Sequence, residues 1–226
     1  MIEKIWDWEK MNNKHWQEPA DEVYYYLYKW STKSSKKILD LGSGAGRHSV
    51  LFAKNDFDVT AFDISENGLE ILHKKAQDFN LNIKAIKGNM TRLPFGSQTF
   101  DFILAYNSIY HTDYEGVIRT VYEMKRILKD NGEAFITMLS KDDASYKENF
   151  DNLISENTFR KKEEDGSYWP HFFVDYKKVR ELFKCFEIVS IKQVEHYDDT
   201  RSFLHYNIHI RKEAAEYESS KMASMF

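Results

Sequence analysis

Gly42, Gly44 and Gly46 stand at alternate positions just after Asp40, and a second acid, Asp63, closes the next apolar run. Glycine lets backbone approach a ligand where any Cβ would collide. The N–H groups of a helix that starts after such a loop favour the negative end of that ligand. A carboxylate one strand over can accept both hydroxyl protons of a ribose. Together these residue types suit a ligand with an adenosine-like moiety. A second group, Tyr106, Asn107, Ser108, Tyr110 and His111, crowds the end of the apolar run Phe100–Ala105. Histidine is the side chain best matched to taking a proton near neutral pH.

These residues need elements to position them. Ile38–Leu41 is short and apolar enough for a buried strand, Ser49–Ala53 has helical spacing, and Val59–Phe62 reads as a second strand. Strand, glycine loop, helix, strand and acid make half of a nucleotide-binding α/β unit. Spacing narrows the ligand. A dinucleotide fingerprint wants small residues at the first, third and sixth places of the loop, and Arg47 occupies the sixth. A P-loop needs Gly-Lys-Ser/Thr, and Gly46-Arg47-His48 is not that. The loop reads G-x-G-x-G instead.

Ser65 is a candidate N-cap for a helix to about Phe79, with Leu69, Leu72, Ala76 and Phe79 on one face. Strand patterns follow at 82–86, 100–105 and 133–139, and a helix at 114–128 ends in Lys129-Asp130-Asn131-Gly132. A helix from Val179 leads to two alternating runs, 186–191 and 203–210. The loop Tyr197-Asp198-Asp199-Thr200 between them predicts an antiparallel hairpin. Ligands of open α/β sheets sit beyond the carboxyl ends of the strands, which puts Tyr106–His111 at the site. Residues 1–36 predict a helix from Glu18-Pro19 through Trp30, either a cap across the mouth or a helix packed on the sheet edge. Residues 140–174 lack periodicity, are acidic and aromatic, and read as a lid-like insertion. The polar tail beyond Arg211 is expected to fray. The whole chain, 1–226, is expected to form one domain.

Composition bounds the partners. Apolar residues are 42% and charged residues 30%, the signature of a globular chain. A net charge of −4 and a pI near 6.1 argue against a DNA-binding face. Cys185 is the only cysteine, which excludes an intrachain disulfide and a zinc cluster. The first residues, MIEKIWDWEK, hold no apolar leader core, and no run reaches membrane-spanning length, so no membrane partner is expected and the location expected is cytoplasmic.

The stretches LDLGSGAG, Asp63, GNMTRLPF…FDFILAYNSIYH and RILKDNGEAFIT resemble the class I S-adenosyl-L-methionine (SAM) dependent methyltransferases over about Ile38 to Ile210. The resemblance implies an α/β fold: a doubly wound seven-stranded sheet, order 3-2-1-4-5-7-6 with the seventh strand antiparallel, plus the N-terminal helical cap. It implies SAM as cofactor. Gly42, Gly44 and Gly46 would approach its methionine part, and Asp40 would orient the amino group. Asp63 would hold the ribose hydroxyls, Ile64 would lie beside the adenine, and Asn89 and Met90 would flank it. Tyr106 would line the methyl-side pocket. Many relatives carry Asp where this chain has Asn89, whose carbonyl can still accept from the adenine amino group. The "LPF…FD" and "Ser-Ile-Tyr-His" run is most similar to the small-molecule, ubiquinone-biosynthesis-like branch. The Asn-Pro-Pro-Tyr signature of N6-adenine methyltransferases is absent.

The activity implied is methyl transfer to a small molecule, with S-adenosylhomocysteine as product. An RNA or protein acceptor, or a SAM-binding regulator without turnover, are the alternatives. A hydroxyl or acidic-carbon acceptor needs a base, for which His111 is the first candidate and His171 the second. His111 also fits a helix-start residue bonded to backbone, and His171 a solvated lid residue. His48 is expected near the loop helix as a supporting or surface residue. His205 and His209 share a strand face with Asn207, but no acid or cysteine completes a metal set. Trp16, Tyr24, Tyr25, Tyr28, Tyr168, Trp169 and Phe172 could frame an aromatic pocket for an amine, or simply pack cap and lid.

Overall fold

The computed structural model describes residues 6–10, 14–148, 150–162, 168–197 and 202–214. Five parallel strands form the frame: β1 (Lys37–Leu41), β2 (Asp58–Asp63), β3 (Ile83–Lys87), β4 (Phe100–Ala105) and β5 (Leu128–Ser140). Two long strands close it, β9 (Glu187–Tyr197) and β10 (Ser202–Arg211), with β10 antiparallel to both β5 and β9. The order is β3-β2-β1-β4-β5-β10-β9, the expected 3-2-1-4-5-7-6. β1 and β4 are buried nearly throughout, as strands covered on both faces must be.

Helices α3 (Arg47–Ala53), α4 (Glu66–Asp78), α5 (Tyr114–Ile127) and α7 (Tyr176–Leu182) connect the strands. Their starts follow local chemistry. Ser65 accepts from Gly68 N–H, Asp113 from Gly116 N–H, and Asp175 from Lys178 N–H, each satisfying an orphan donor of the first turn.

Three segments differ from expectation. Residues 140–174 hold a short helix α6 (Ala144–Glu148) and three strands, β6 (Leu153–Ser155), β7 (Thr158–Lys162) and β8 (Tyr168–Val174). β6, β7 and β8 pair antiparallel, and the end of β8 runs parallel to the end of β5, Leu139 beside Phe173. No alternation announces them because His171, Phe172, Phe173 and Val174 are all buried, so both faces of β8 are covered. Residues 149 and 163–167 of this insertion lie outside the described residues, as do 198–200 of the hairpin loop and the tail from 215.

β5 begins at Leu128 instead of Glu133. Leu128 is already extended, and the pairing with β4 slips between Phe100 and Phe102 to absorb Lys129–Gly132, with Asn131 at φ 60°. The helix expected from Glu18-Pro19 through Trp30 is α2 (Asp21–Ser31), and a further short helix that was not expected, α1 (Lys14–Gln17), precedes it. Pro19 keeps the two apart, since it disfavours helical backbone at the preceding Glu18.

α2 lies on the sheet. Val23, Tyr26 and Trp30 are buried among Ile38, Phe102 and Phe135, with the Tyr26 ring stacked on Phe135 at 4.0 Å and Trp30 on Phe102 at 4.7 Å. Tyr24, Tyr25 and Tyr28 face outward, exposed. Beneath the helix, the buried Glu133 carboxylate receives Trp30 Nε1 at 3.0 Å, Lys29 Nζ at 2.9 Å and His209 Nε2 at 2.9 Å. Burial works against that charge, but these partners win and hold the carboxyl far below its usual range. Among the described residues no helix is long and apolar enough to cross a membrane.

Candidate functional site

A cavity of about 810 Å³ opens beyond the carboxyl ends of β1, β2 and β4. Gly42, Ser43, Gly46, Asp63, Ile64, Asn89 and Met90 line one end. Arg47, His48, Tyr106, Asn107, His111, Arg160, Tyr168 and Trp169 line the other, with Trp6 and Trp16 also on the wall. Asp40, Gly44 and His171 sit just behind this lining.

The loop after β1 turns through positive φ, 77° at Gly42, 53° at Gly44 and 77° at Gly46, a region side chains rarely adopt. Gly42 N–H and Ser43 N–H both donate to Phe62 O, at 2.7 and 3.2 Å, pinning the loop to β2. A Cβ at Gly42 would overlap the Ser108 side chain, and one at Gly44 the Trp8 ring. Asp63 is oriented by the same loop: Gly44 N–H donates to Oδ2 at 2.8 Å and Ser65 N–H to Oδ1 at 2.7 Å. Burial raises its carboxyl above the usual range, opposed by those bonds. Asp40 is buried, accepts the Ser49 hydroxyl at 2.6 Å, and is pushed up to about 6, chiefly by desolvation.

Asn89 departs from its implied contact. Its Oδ1 accepts both Thr91 N–H, at 2.9 Å, and the Thr91 hydroxyl, at 2.8 Å, so that oxygen serves the turn while the residue lines the wall. Tyr106 is buried, reaches Glu22 at 3.5 Å, and its hydroxyl is pushed upward by burial and that carboxylate, so it stays protonated. His48 is buried, not on the surface, and its Nε2 accepts Ala20 N–H at 3.2 Å.

The geometry at His111 fixes its proton. Asn107 adopts φ 50°, tolerable for Asn, and is held there by Thr137: the Asn107 N–H donates to Thr137 Oγ1 at 2.7 Å, and that hydroxyl donates to Asn107 Oδ1 at 2.9 Å. The Asn107 carbonyl lies 3.2 Å from His111 Nε2 and can only accept, so Nε2 carries the hydrogen and Nδ1 is a bare lone pair. Nδ1 is buried with no hydrogen-bond partner among the described residues. Desolvation, then the neighbouring His171 and Lys161, hold the ring well below the ordinary histidine range, so it is neutral at pH 7. His171 is buried, not solvated; its Nδ1 faces Trp169 O at 3.1 Å, and its ring meets His111 edge-on at 4.5 Å. His205 faces Tyr110 at 3.3 Å, and His209 faces Glu133.

Of the aromatic set, Trp16, Tyr168 and Trp169 reach the cavity, while Phe172 is in the core. The first described residues add a strap that sequence reasoning missed. Ser65 Oγ donates to Trp6 O at 3.1 Å, the Trp6 ring stands edge-on to His111 at 5.4 Å, and Trp8 fills the notch left by Gly44 and Gly68. Arg47, read in the sequence only as an obstacle to a dinucleotide, lies 5.5 Å from the ring centres of both Trp16 and Tyr106. Arg160 carries no sequence signal at all.

Residues 38–132 match the methyltransferase domain family. They are a class I SAM-dependent methyltransferase domain. Its cofactor is S-adenosyl-L-methionine, and a backbone turn through three glycines at positive φ, beside a carboxylate oriented by Gly44 N–H, suits that ligand. A demethylmenaquinone methyltransferase of Bacillus subtilis is 24% identical over 220 residues, covering 88% of this chain and 91% of the relative. An uncharacterised protein of Methanocaldococcus jannaschii is 31% identical over 133 residues, and the chain spans about half of it (54%), matching through 59% of its own length. A SAM-dependent methyltransferase from Methanosarcina mazei shares the fold at a TM-score of 0.74 and 20% identity, over 87% of this chain and 99% of that one. The methyltransferase domain thus supplies the cofactor end, while Trp6, Trp16, Arg160 and Tyr168 lie outside the matched residues.

Proposed function

We propose that the chain transfers the SAM methyl group to a small-molecule acceptor by in-line displacement, leaving S-adenosylhomocysteine. One observation carries this reading: a single cavity joins the glycine loop and Asp63 to His111. In the step, an acceptor lone pair takes the methyl carbon, the carbon–sulfur pair stays on sulfur, and the acceptor proton passes to His111 Nδ1. Gly42, Gly44 and Gly46 shape the cradle for the methionine part, with Asp40 beside its amino group. Asp63 holds the ribose hydroxyls, and Ile64, Asn89 and Met90 frame the adenine. Arg47, next to Gly46, offers a cation to the methionine carboxylate. Tyr106 walls the methyl side, His171 supports His111, and the insertion with the Trp6–Trp8 strap excludes water, which strengthens every interaction inside. The small-molecule acceptor accords with the name of the Bacillus subtilis relative.

The test is incubation of the protein with methyl-labelled SAM and a cell extract separated into metabolite, RNA and protein fractions. Label in the metabolite fraction, lost in His111→Gln, is expected. Label confined to RNA or protein, or binding of S-adenosylhomocysteine without any transfer, would overturn the reading.

A further inference from the structure

The indoles at the start of the chain touch both ends of the cavity. Trp6, Trp8 and Trp16 all line it, with their ring centres 5.9 to 6.2 Å apart. Trp8 is seated on the loop after β1. A Cβ at Gly44 would overlap its Cε2, Cζ2 and Cη2, and a Cβ at Gly68 would crowd its Cδ1. The gap between these two glycines is thus shaped to an indole, and a side chain at either position would push the ring out. Ser65 pegs the strap beside it, its hydroxyl donating to Trp6 O at 3.1 Å. Gly44 and Ser65 are also the residues whose N–H groups aim Asp63, at 2.8 and 2.7 Å. Strap and carboxylate share one pair of supports.

The seat leaves polar groups over. Trp8 Nε1, on the ring edge that spans the two glycines, is buried with no hydrogen-bond partner among the described residues. The Ser43 hydroxyl, next to Gly44 and on the cavity lining, is in the same state. Unmade hydrogen bonds work against a closed strap, and a ligand in the cradle can complete them. At the far end, the Trp6 ring stands edge-on to His111 at 5.4 Å. Trp6 and Trp8 are two residues apart, a tether of about 7 Å at full stretch, so one ring cannot stay in place when the other lifts away.

We infer that Trp8 is a latch for the cofactor: bound SAM or S-adenosylhomocysteine keeps its indole in the Gly44–Gly68 notch, and the seated indole sets Trp6 against His111. The cofactor then enters first and leaves last, and the acceptor pocket gains its last wall only over an occupied cradle. The inference rests on the methyl-transfer reading and adds to it the order of binding and the residue that enforces it.

Two measurements test it, one at each end. Release of labelled S-adenosylhomocysteine into excess SAM, followed by rapid filtration, should be about tenfold faster or more in Trp8→Ala, with the dissociation constant rising less because entry is faster too. Trp8→Phe keeps a ring in the notch and should restore most of the slow release. Diethyl pyrocarbonate reports on the other end, since it acylates an imidazole nitrogen that carries a lone pair, as His111 Nδ1 does. Saturating S-adenosylhomocysteine should protect His111 in the wild type and in Trp8→Phe, and fail to protect it in Trp8→Ala, read by peptide mass spectrometry. Trp8 is half-buried and outside the hydrophobic core, so these variants fold. Release from Trp8→Ala as slow as from the wild type, or His111 still protected in that variant, overturns the inference while the methyl-transfer reading stands. Failure of S-adenosylhomocysteine to bind the wild-type protein overturns both.

Discussion

On the methyl-transfer reading, the cofactor end of the cavity is lined by Gly42, Ser43, Gly46, Asp63, Ile64 and residues 88–91, from three short stretches at the ends of adjacent parallel strands. The acceptor end gathers Trp6 and Trp16 from the chain start, Tyr106–His111 from beyond β4, and Arg160, Tyr168 and Trp169 from the insertion. At the first end backbone does the shaping: positive φ at three glycines and N–H groups that aim a carboxylate. At the second, side chains from distant segments do it, and their positions depend on packing between α2, the sheet and β6–β8. A ligand common to a whole family suits the first construction. A ligand peculiar to one member suits the second, where substitutions leave the frame intact.

Substitutions at the two ends should therefore separate binding from turnover. His111→Gln should lower kcat by about 10²–10⁴ while the affinity for S-adenosylhomocysteine is kept, read by steady-state kinetics alongside calorimetry. Equal losses in both would erase the division. Gly42→Val meets Ser108 and a positive φ together, and should weaken S-adenosylhomocysteine by about a hundredfold or more. Asp63→Asn keeps the shape and should weaken it by about tenfold to a hundredfold, a control against misfolding of the valine variant.

Glu133→Ala tests the support, not the site. Removing the carboxylate strands Lys29 and His209 under α2 and should cost about 3 kcal/mol of stability, the low end for a broken buried pair because Lys29 and Arg211 remain partly hydrated. The native carboxyl titrates far below its unfolded value. Its contribution is therefore present at neutral pH and fades only as pH falls below about 4. The smallest effect should come from Asp40, whose native value is raised, from 3.8 to about 6. Its neutral form is favoured in the fold, so its contribution is full below the lower figure and is lost as pH rises through about 6. Asp40→Asn should flatten that fall in thermal melts of the ligand-free protein while weakening S-adenosylhomocysteine.

The frame was legible because its cues are local. An apolar run, glycines at alternate positions and an acid at a strand end identify β1, the loop and β2 without tertiary information, and Ser65 and Asp175 head their helices by side-chain chemistry. The strands of the insertion were not legible. Pairing buries both faces of β8, which removes the alternation that would reveal it. The roles of Trp6, Trp8 and Arg160 depend on contacts between residues far apart in sequence, for which no short-range pattern exists. His111 was legible as a candidate, but its tautomer was not, since that follows from Asn107 being held in a left-handed turn by Thr137.

That turn has a directional consequence. A peptide oxygen dictates which imidazole nitrogen is protonated, so the hydrogen stays on Nε2 and the lone pair on Nδ1. On the methyl-transfer reading the imidazole therefore begins each turnover as a base at that nitrogen, and a compound with no hydrogen to surrender gains nothing from it.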